Sequence, residues 1–217
     1  MNGAFVFLGP PASGKGTQAK LLSERLKVPH ISLGDILREA VRAGTDEGNR
    51  AKSFMDAGKL VPDELTISLA KERFARSDCK NGFIVDGFPR TLKQAEAFES
   101  ILGECGIELS SVIYITIPVD VAVSRLSGRR SCKKCGAVYH SEFNPPRKLD
   151  VCDRCGEKLY QRRDDTEEVI KTRFSVYEKE TLPLVRGYGK SGKLKEIDGS
   201  ASVDEVRNAI EAAGRGK

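Results

Sequence analysis

The chain contains no tryptophan, two histidines and two methionines, and aromatic residues make up only 6% of its 217 residues. With His30 and His140 alone, it offers little for general-base catalysis by imidazole. Neither is read as catalytic: His30 is expected to be a satisfied strand-end residue and His140 a structural one. No apolar run approaches the roughly 20 residues that span a bilayer as a helix. The opening Met1-Asn2-Gly3 lacks a basic stretch followed by a cleavable apolar segment, so no secretory signal is read and a cytoplasmic location is expected. No single sign of charge dominates. The 36 Lys and Arg against 31 Asp and Glu leave +5, and the cations are scattered among acids. What these absences leave is a globular chain, 39% hydrophobic, long enough for one α/β domain with small insertions.

The stretch that organises the rest is Gly9-Pro10-Pro11-Ala12-Ser13-Gly14-Lys15-Gly16-Thr17. It follows the apolar run Ala4-Phe5-Val6-Phe7-Leu8 and precedes a helical pattern with Ala19, Leu22 and Leu26 on one face. Strand, glycine-rich loop, helix is the setting of a phosphate-binding loop. Glycines let the backbone curl so that successive N–H groups converge on an anion, and the helix N-terminus adds its positive dipole end. Lys15 supplies a full charge for the outer phosphates. The general motif has Ser or Thr directly after the lysine, whereas here Gly16 intervenes before Thr17. The competing reading, a Gly/Pro turn without a ligand, requires strand, spacing, lysine and helix to coincide by chance.

Along the chain, residues 28–33 read as a short strand. A helix follows from Gly34-Asp35, with Asp35 as N-cap and Ile36, Leu37, Ala40 and Val41 inward. A second short helix runs through Ala51, Phe54 and Met55 to Gly58. Pro62-Asp63-Glu64 opens a longer one with Leu65 and Leu69 inward. Phe83-Ile84-Val85-Asp86 reads as a buried strand ending in an acid, which either orients magnesium-bound water or caps the Gly87 turn. Thr91 and Gln94 have capping-box spacing. Residues 112–117 are the clearest strand, and Pro118 opens the next helix. Helical pattern returns from Thr166 to about Val185, with Ile170, Phe174 and Tyr177 on one face. A last strand near 194–197 leads to a helix with Val203, Val206 and Ile210 inward, and Ser202 and Glu205 fit its capping box. Gly214 to Lys217 reads as a frayed tail. Strands alternating with helices predict an α/β fold with a doubly wound parallel sheet of about five strands.

Between 128 and 165 the composition turns to cysteine, glycine, proline and charge, and a small inserted domain is expected. Cys132-Lys133-Lys134-Cys135 and Cys152-Asp153-Arg154-Cys155 have the spacing of a four-cysteine zinc site. Each pair is followed by a glycine that suits a knuckle turn, and a segment this polar is short of burial, so a metal staple makes sense. Iron fits the same ligands. A disulfide pair or redox thiols is the alternative, disfavoured in a cytoplasmic setting. Four thiolates leave no open position, so the metal is structural. Cys79 and Cys105 stand alone and read as core or boundary residues.

On these motifs the chain resembles adenylate kinase, in the long form of bacteria with a zinc-bearing lid. The resemblance covers essentially the whole chain. The loop has that family's own Gly between Lys15 and Thr17. Asp86-Gly87-Phe88-Pro89-Arg90-Thr91 is a very specific match. Ser127-Gly128-Arg129-Arg130, Tyr139-His140, Phe143-Asn144-Pro145-Pro146, Arg162-Arg163-Asp164-Asp165 and Ile197-Asp198-Gly199 match the lid, its hinges and the last strand.

The resemblance implies magnesium-dependent transfer between ATP and AMP giving two ADP. It implies a core of 1–31, 62–127 and 166–217, a monophosphate-binding insertion of 32–61 and a lid of 128–165. It further implies that Ala12, Ser13, Gly14, Lys15, Gly16 and Thr17 hold the ATP phosphates. Arg129 and the backbone at Val138 and Tyr139 cover ATP, and the backbone near Ala201 touches its base. Leu33, Arg38, Lys59, Leu60, Val61, Gly87, Phe88, Pro89, Arg90 and Gln94 form the AMP pocket, and Arg162 and Arg173 reach phosphate as the lid closes. Many relatives carry Thr where Leu33 stands, while Gln94 retains the means to pair with adenine. The implied partners are these nucleotides alone, with no nucleic acid and no membrane, and the implied state is a monomer.

Phosphoryl transfer rewards positioning and charge neutralisation, and arginine offers bidentate hydrogen bonds to phosphate. Lys15, Arg90, Arg129, Arg162 and Arg173 are therefore the expected catalytic set. For Arg173 a helix-surface pair with Glu168 or Glu180 competes. A UMP/CMP-type kinase competes through Leu33, and a nucleic-acid-binding ATP switch through the net charge. The cysteine segment, however, lacks the exposed aromatics expected for base stacking.

Overall fold

The computed structural model describes residues 3–215. In chain order the elements begin with β1 (Gly3–Leu8), α1 (Lys15–Leu26), β2 (His30–Ser32), α2 (Leu33–Ala43), α3 (Asp46–Asp56), α4 (Asp63–Phe74), β3 (Gly82–Asp86), α5 (Leu92–Cys105) and β4 (Glu108–Thr116). They continue with α6 (Val119–Ser127), β5 (Arg129–Cys132), β6 (Val138–His140), β7 (Leu159–Tyr160), α7 (Glu167–Val176), α8 (Leu182–Lys190), β8 (Leu194–Asp198) and α9 (Val203–Arg215).

Five strands form a parallel sheet in the order β2-β3-β1-β4-β8. A parallel strand is covered on both faces, which is why β1 is apolar throughout and β3 is apolar up to its last residue, Asp86. Their alternation divides two cores. Ala4, Val6, Leu8, Phe83 and Val85 join Phe74, Phe88 and Phe98 on one face. Phe7, Ile84, Ile113 and Ile115 meet Ala19, Val206 and Ile210 on the other. The strand order reverses at β1, so the crevice beyond its carboxyl end is where such a sheet binds ligands. The loop after β1 and the turn after β3 open there, side by side, with Phe7 in register with Asp86.

Two small units stand on this sheet. Helices α2 and α3, within 32–61, share a core of Leu37, Ala51, Val61 and Leu65 with the start of α4. Strands β6-β5-β7, within 128–165, form an antiparallel sheet over Cys132, Ala137, Tyr139, Cys152 and Leu159.

Several local expectations are corrected. Helix α2 starts at Leu33, and its N-cap is Ser32, not Asp35. Ser32 ends β2 in extended conformation, and its hydroxyl accepts from the Asp35 N–H at 3.3 Å. The Thr91 cap on α5 is present, but Gln94 does not return the bond to Thr91. Its Oε1 accepts from the Arg90 N–H instead, at 2.8 Å. The helical stretch from 167 to 190 is broken by a π-turn, Tyr177–Thr181. Val203 begins α9 but is 52% exposed, because only Val206 and Ile210 lie on the face toward the sheet. The Ser202–Glu205 capping box forms in both directions. His30 Nε2 is buried without a hydrogen-bond partner among the described residues, against the satisfied role expected of it. The expected tail divides: Gly214 and Arg215 belong to α9, and Gly216 and Lys217 lie outside the described residues.

Candidate functional site

The loop between β1 and α1 is held open by its own lysine. Lys15 Nζ donates to the carbonyl oxygens of Gly9 (2.8 Å) and Pro10 (2.7 Å) and to Ser13 Oγ (3.3 Å). Gly9 is there because a Cβ would come within 2.3 Å of the Ile115 carbonyl oxygen. Gly14 caps α1 in the left-handed region, at φ 91°. The first N–H groups of α1, at Lys15, Gly16 and Thr17, have no intrahelical partners and face the crevice mouth. Lys15 keeps some contact with solvent, yet the protein crowded around its ammonium lowers its pKa to about 7. Asp86 opposes that shift, and Arg90, Arg173 and Arg129 add to it.

Five arginines from distant segments surround the same space. Arg38 comes from α2, Arg90 from the turn after β3, Arg129 from β5, Arg162 from the segment after β7 and Arg173 from α7. Arg90, Arg162 and Arg173 feel their cationic neighbours. Burial, then Arg38 and Arg129, lowers Arg162 to about 10. Burial lowers Arg173 to about 10, with Arg129 and Arg90 adding to it against Asp164 and Asp165. Burial and Arg38 lower Arg90, against Asp86 and Asp164. Cations this close in a water-poor space resist their own charge, and a polyanion relieves them.

Carboxylates hold the ring in shape. Asp165 has a fully buried side chain and takes a bidentate pair from Arg129, Nε to Oδ2 at 2.8 Å and Nη2 to Oδ1. Arg173 reaches the same Oδ1 at 3.3 Å and Asp164 Oδ2 at 2.9 Å. The partners of Arg173 are therefore these aspartates and not Glu168 or Glu180. Burial works to raise the Asp164 carboxyl, but Arg173, Arg129, Arg38 and Arg162 outweigh it and hold it below its usual range. Arg38 Nη2 donates to Asp35 at 2.6 Å, and Arg162 Nε to Ser131 Oγ at 2.9 Å.

The remaining expected residues are spread over several places. Leu60 and Val61 line a cavity of about 300 Å³ together with Pro62, Asp63, Thr91, Val176 and Glu180. Gly87 and Arg90 belong to the turn after β3, where Arg90 Nε donates to the Gly87 carbonyl oxygen at 2.9 Å. Leu33, 1% exposed, packs in the sheet core. Pro89 is buried, and the Phe88 ring lies against Phe74 and Phe98, so what Phe88 offers a ligand is its main chain. Gln94 is buried, its amide donating to Asp63 Oδ1 at 2.7 Å and Thr66 Oγ1 at 3.2 Å. Lys59 is exposed beside Leu60. Ala12 packs by the α6–α7 cluster, with Ser13 buried beside it. Val138 is exposed, whereas the Tyr139 side chain turns into the antiparallel unit, its hydroxyl accepting from the Asp153 N–H at 2.9 Å. Ala201 is exposed in the loop before α9, next to carbonyls of Gly199 and Ser200 that accept from Arg125.

The four cysteine sulfurs lie within 4.8 Å of one another. The Cys132–Cys155 and Cys135–Cys152 pairs stand 3.4 and 3.5 Å apart. All are free thiols, so the disulfide alternative is not realised among the described residues. A tetrahedral zinc with bonds of about 2.3 Å needs sulfur–sulfur edges of about 3.8 Å, and the cluster fits that demand. His140 is structural, as expected: its Nδ1 accepts from the Glu142 and Phe143 N–H groups, and its ring stacks on Phe143. Phe143 itself is 65% exposed, so the segment is not without an exposed aromatic.

Asp35, Asp164, Asp165 and Arg125 escaped sequence reasoning as functional supports. The signal was thin: Asp164, Asp165 and Arg125 each have partners elsewhere in the chain, although Asp164 and Asp165 sit within the Arg162-Arg163-Asp164-Asp165 run, and Asp35 pairs with Arg38 one turn on in α2.

The adenylate kinase family model matches residues 7–193. The adenylate kinase of Methanocella arvoryzae is 54% identical over 209 residues, covering 96% of this chain and 97% of that protein. Those of Archaeoglobus fulgidus and Moorella thermoacetica are 50% and 51% identical over 207 and 205 residues, covering 95% and 94% of both chains respectively.

Proposed function

The chain belongs to the adenylate kinase family, and from that premise we propose how its residues divide the work. It is a phosphotransferase that moves the terminal phosphoryl group of ATP to AMP, reversibly and with magnesium, giving two ADP. The proposed division is a core of 1–31, 62–127 and 166–217, an AMP-binding insertion of 32–61 and a lid of 128–165.

The observation that carries the residue roles is the convergence of Lys15, Arg38, Arg90, Arg129, Arg162 and Arg173 on one crevice. An AMP phosphate oxygen attacks the terminal phosphorus of ATP, a new P–O bond forms, and the bond to the bridging oxygen breaks. The attacking oxygen is already anionic, so no general base is needed. What the transfer requires is in-line placement and cancellation of charge. Lys15 and the N–H groups from Ala12 to Thr17 take the ATP phosphates, and Arg129, Arg162 and Arg173 take the transferring group from the lid side. Arg38 and Arg90 take the AMP phosphate. Leu33, Lys59, Leu60, Val61, Gly87, Phe88, Pro89 and Gln94 build the AMP side, and the main chain at Val138, Tyr139 and Ala201 bounds the ATP side. Magnesium bound with ATP would supply further charge neutralisation, and Asp86 is the residue that would hold its water. Cys132, Cys135, Cys152 and Cys155 hold structural zinc.

We read the enzyme as monomeric and cytoplasmic, acting on nucleotides and on neither nucleic acid nor membrane. Scattered charge supports this, and no helix among the described residues is long and apolar enough to cross a bilayer. The test is coupled turnover with Mg-ATP and, in turn, AMP, UMP, CMP and GMP. Strong turnover with AMP alone is expected. A preference for a pyrimidine monophosphate would overturn the roles given to Leu33 and Gln94.

A further inference from the structure

The π-turn Tyr177–Thr181 is an irregularity between two ordinary helices, and it makes a long-range hydrogen bond at each of its ends. The Leu182 N–H closes back on the Tyr177 carbonyl oxygen, five residues away. A π-turn takes an extra residue into the turn, which rotates all that follows by about 100° relative to an unbroken helix. Pro183 lies two residues beyond, where it has no N–H to continue the α pattern. The rotation turns Thr181 inward. Thr181 is 5% exposed, and its Oγ1 donates to the Arg90 carbonyl oxygen at 3.0 Å, across 91 residues of sequence. Tyr177 anchors the other end of the same turn by donating to Tyr114 Oη on β4 at 2.9 Å.

Arg90 is thereby gripped at three points. Its N–H donates to Gln94 Oε1, its carbonyl accepts from Thr181, and its Nε donates to the Gly87 carbonyl. Gln94 is fixed in turn by Asp63 and Thr66. The terminal nitrogens of the Arg90 guanidinium have no hydrogen-bond partner among the described residues, so they keep their donors for a ligand. A planar fork binds phosphate well only when its stem is held, and the main chain of Arg90 is that stem.

We propose that Thr181 is a positioning residue of the phosphoryl transfer, delivered by the π-turn to fix the Arg90 main chain so that its guanidinium meets the phosphates. The proposal rests on the reading of Arg90 as a phosphate ligand. Thr181→Val keeps shape and volume but leaves the Arg90 carbonyl without its donor, and Thr181→Ser keeps the hydroxyl. In the full-length, metal-loaded enzyme, Thr181→Val is expected to lower kcat about tenfold, with the KM for Mg-ATP little changed. Thr181→Ser should recover most of that loss. In an Arg90→Lys background the Val substitution should cost little more, because the two act through one group. Thr181→Ala serves the same comparison if the Val variant folds poorly. Wild-type kcat in the Val or Ala variant, failure of Ser to rescue, or losses that multiply independently in the double variant would each overturn the proposal while leaving Arg90 in its role. An Arg90→Lys enzyme that turns over like wild type would instead remove the premise, and the proposal with it.

Discussion

Lys15 donates to three oxygens of its own loop, yet the surrounding protein brings its pKa down to about 7 from an ordinary 10.5. Near pH 8 the free enzyme therefore holds much of this group neutral, and phosphates favour the ammonium. ATP binding raises the pKa, so a proton must be taken up in the window above 7. Calorimetric binding heats at pH 8 should vary with the ionisation enthalpy of the buffer in the sense of uptake, and heats independent of buffer would refute the linkage. Asp165 is a buried carboxylate serving two guanidiniums. Asp165→Asn keeps the shape and leaves two buried cations short of a partner, and a loss of about 3 kcal/mol is expected in unfolding experiments. Saturating ATP should return part of that loss, because its phosphates supply Arg129 and Arg173 with countercharge. A loss unaffected by nucleotide would argue that Asp165 serves the fold alone.

At the scale of elements, the antiparallel unit has five buried hydrophobic residues in its own core, two of them cysteines. So little burial would leave the proposed metal as its main internal support. A chelator that strips the four thiolates should lower the unfolding temperature sharply while turnover at moderate temperature falls much less, since none of the proposed phosphate ligands is a cysteine. Equal losses of both would tie the metal to the chemistry. Elements like this one were legible because their chemistry sits in contiguous residues. The two Cys-x-x-Cys pairs, the loop from Gly9 to Thr17 and the turn from Asp86 to Thr91 each carry their meaning locally, and the apolar runs of β1, β3 and β4 fixed the parallel sheet. What escaped leaves no mark of its own in the residues concerned. Ser32 displaces Asp35 as a cap because β2 ends one residue before the helix pattern suggests. The π-turn is invisible in Tyr177-Glu178-Lys179-Glu180-Thr181 itself, because Thr181 is drawn inward by a carbonyl 91 residues away. Asp165 looked like part of a hinge, and its two arginines gave it a different task.

At the scale of the whole molecule, the two small units and the core come together over the crevice. Arg163, beyond β7, lies 3.6 Å from Asp56 at the end of α3. Gly58, two residues further on, lies against α7. A Cβ there would come within 2.8 Å of Val169 Cγ1 and 2.9 Å of Arg173 Cγ, and Gly58 has φ +69°. A kinase must keep water from the phosphoryl group it transfers, and on the proposed division of roles this contact would help shut the crevice. Gly58→Ala bears two costs that can be separated. The left-handed backbone costs about 1–2 kcal/mol in every conformation, which lowers stability modestly. The collision arises only when the insertion rests on α7, and it pushes on the stem of Arg173, one of the proposed phosphate ligands. The KM for AMP should therefore rise about tenfold, equivalent to about 1.4 kcal/mol against closure. Inorganic phosphate released per ADP formed should rise as well, because water gains access. A variant with the modest loss of stability but unchanged KM and unchanged phosphate leakage would mean that the seating of Gly58 on α7 belongs to packing and not to the closing of the site.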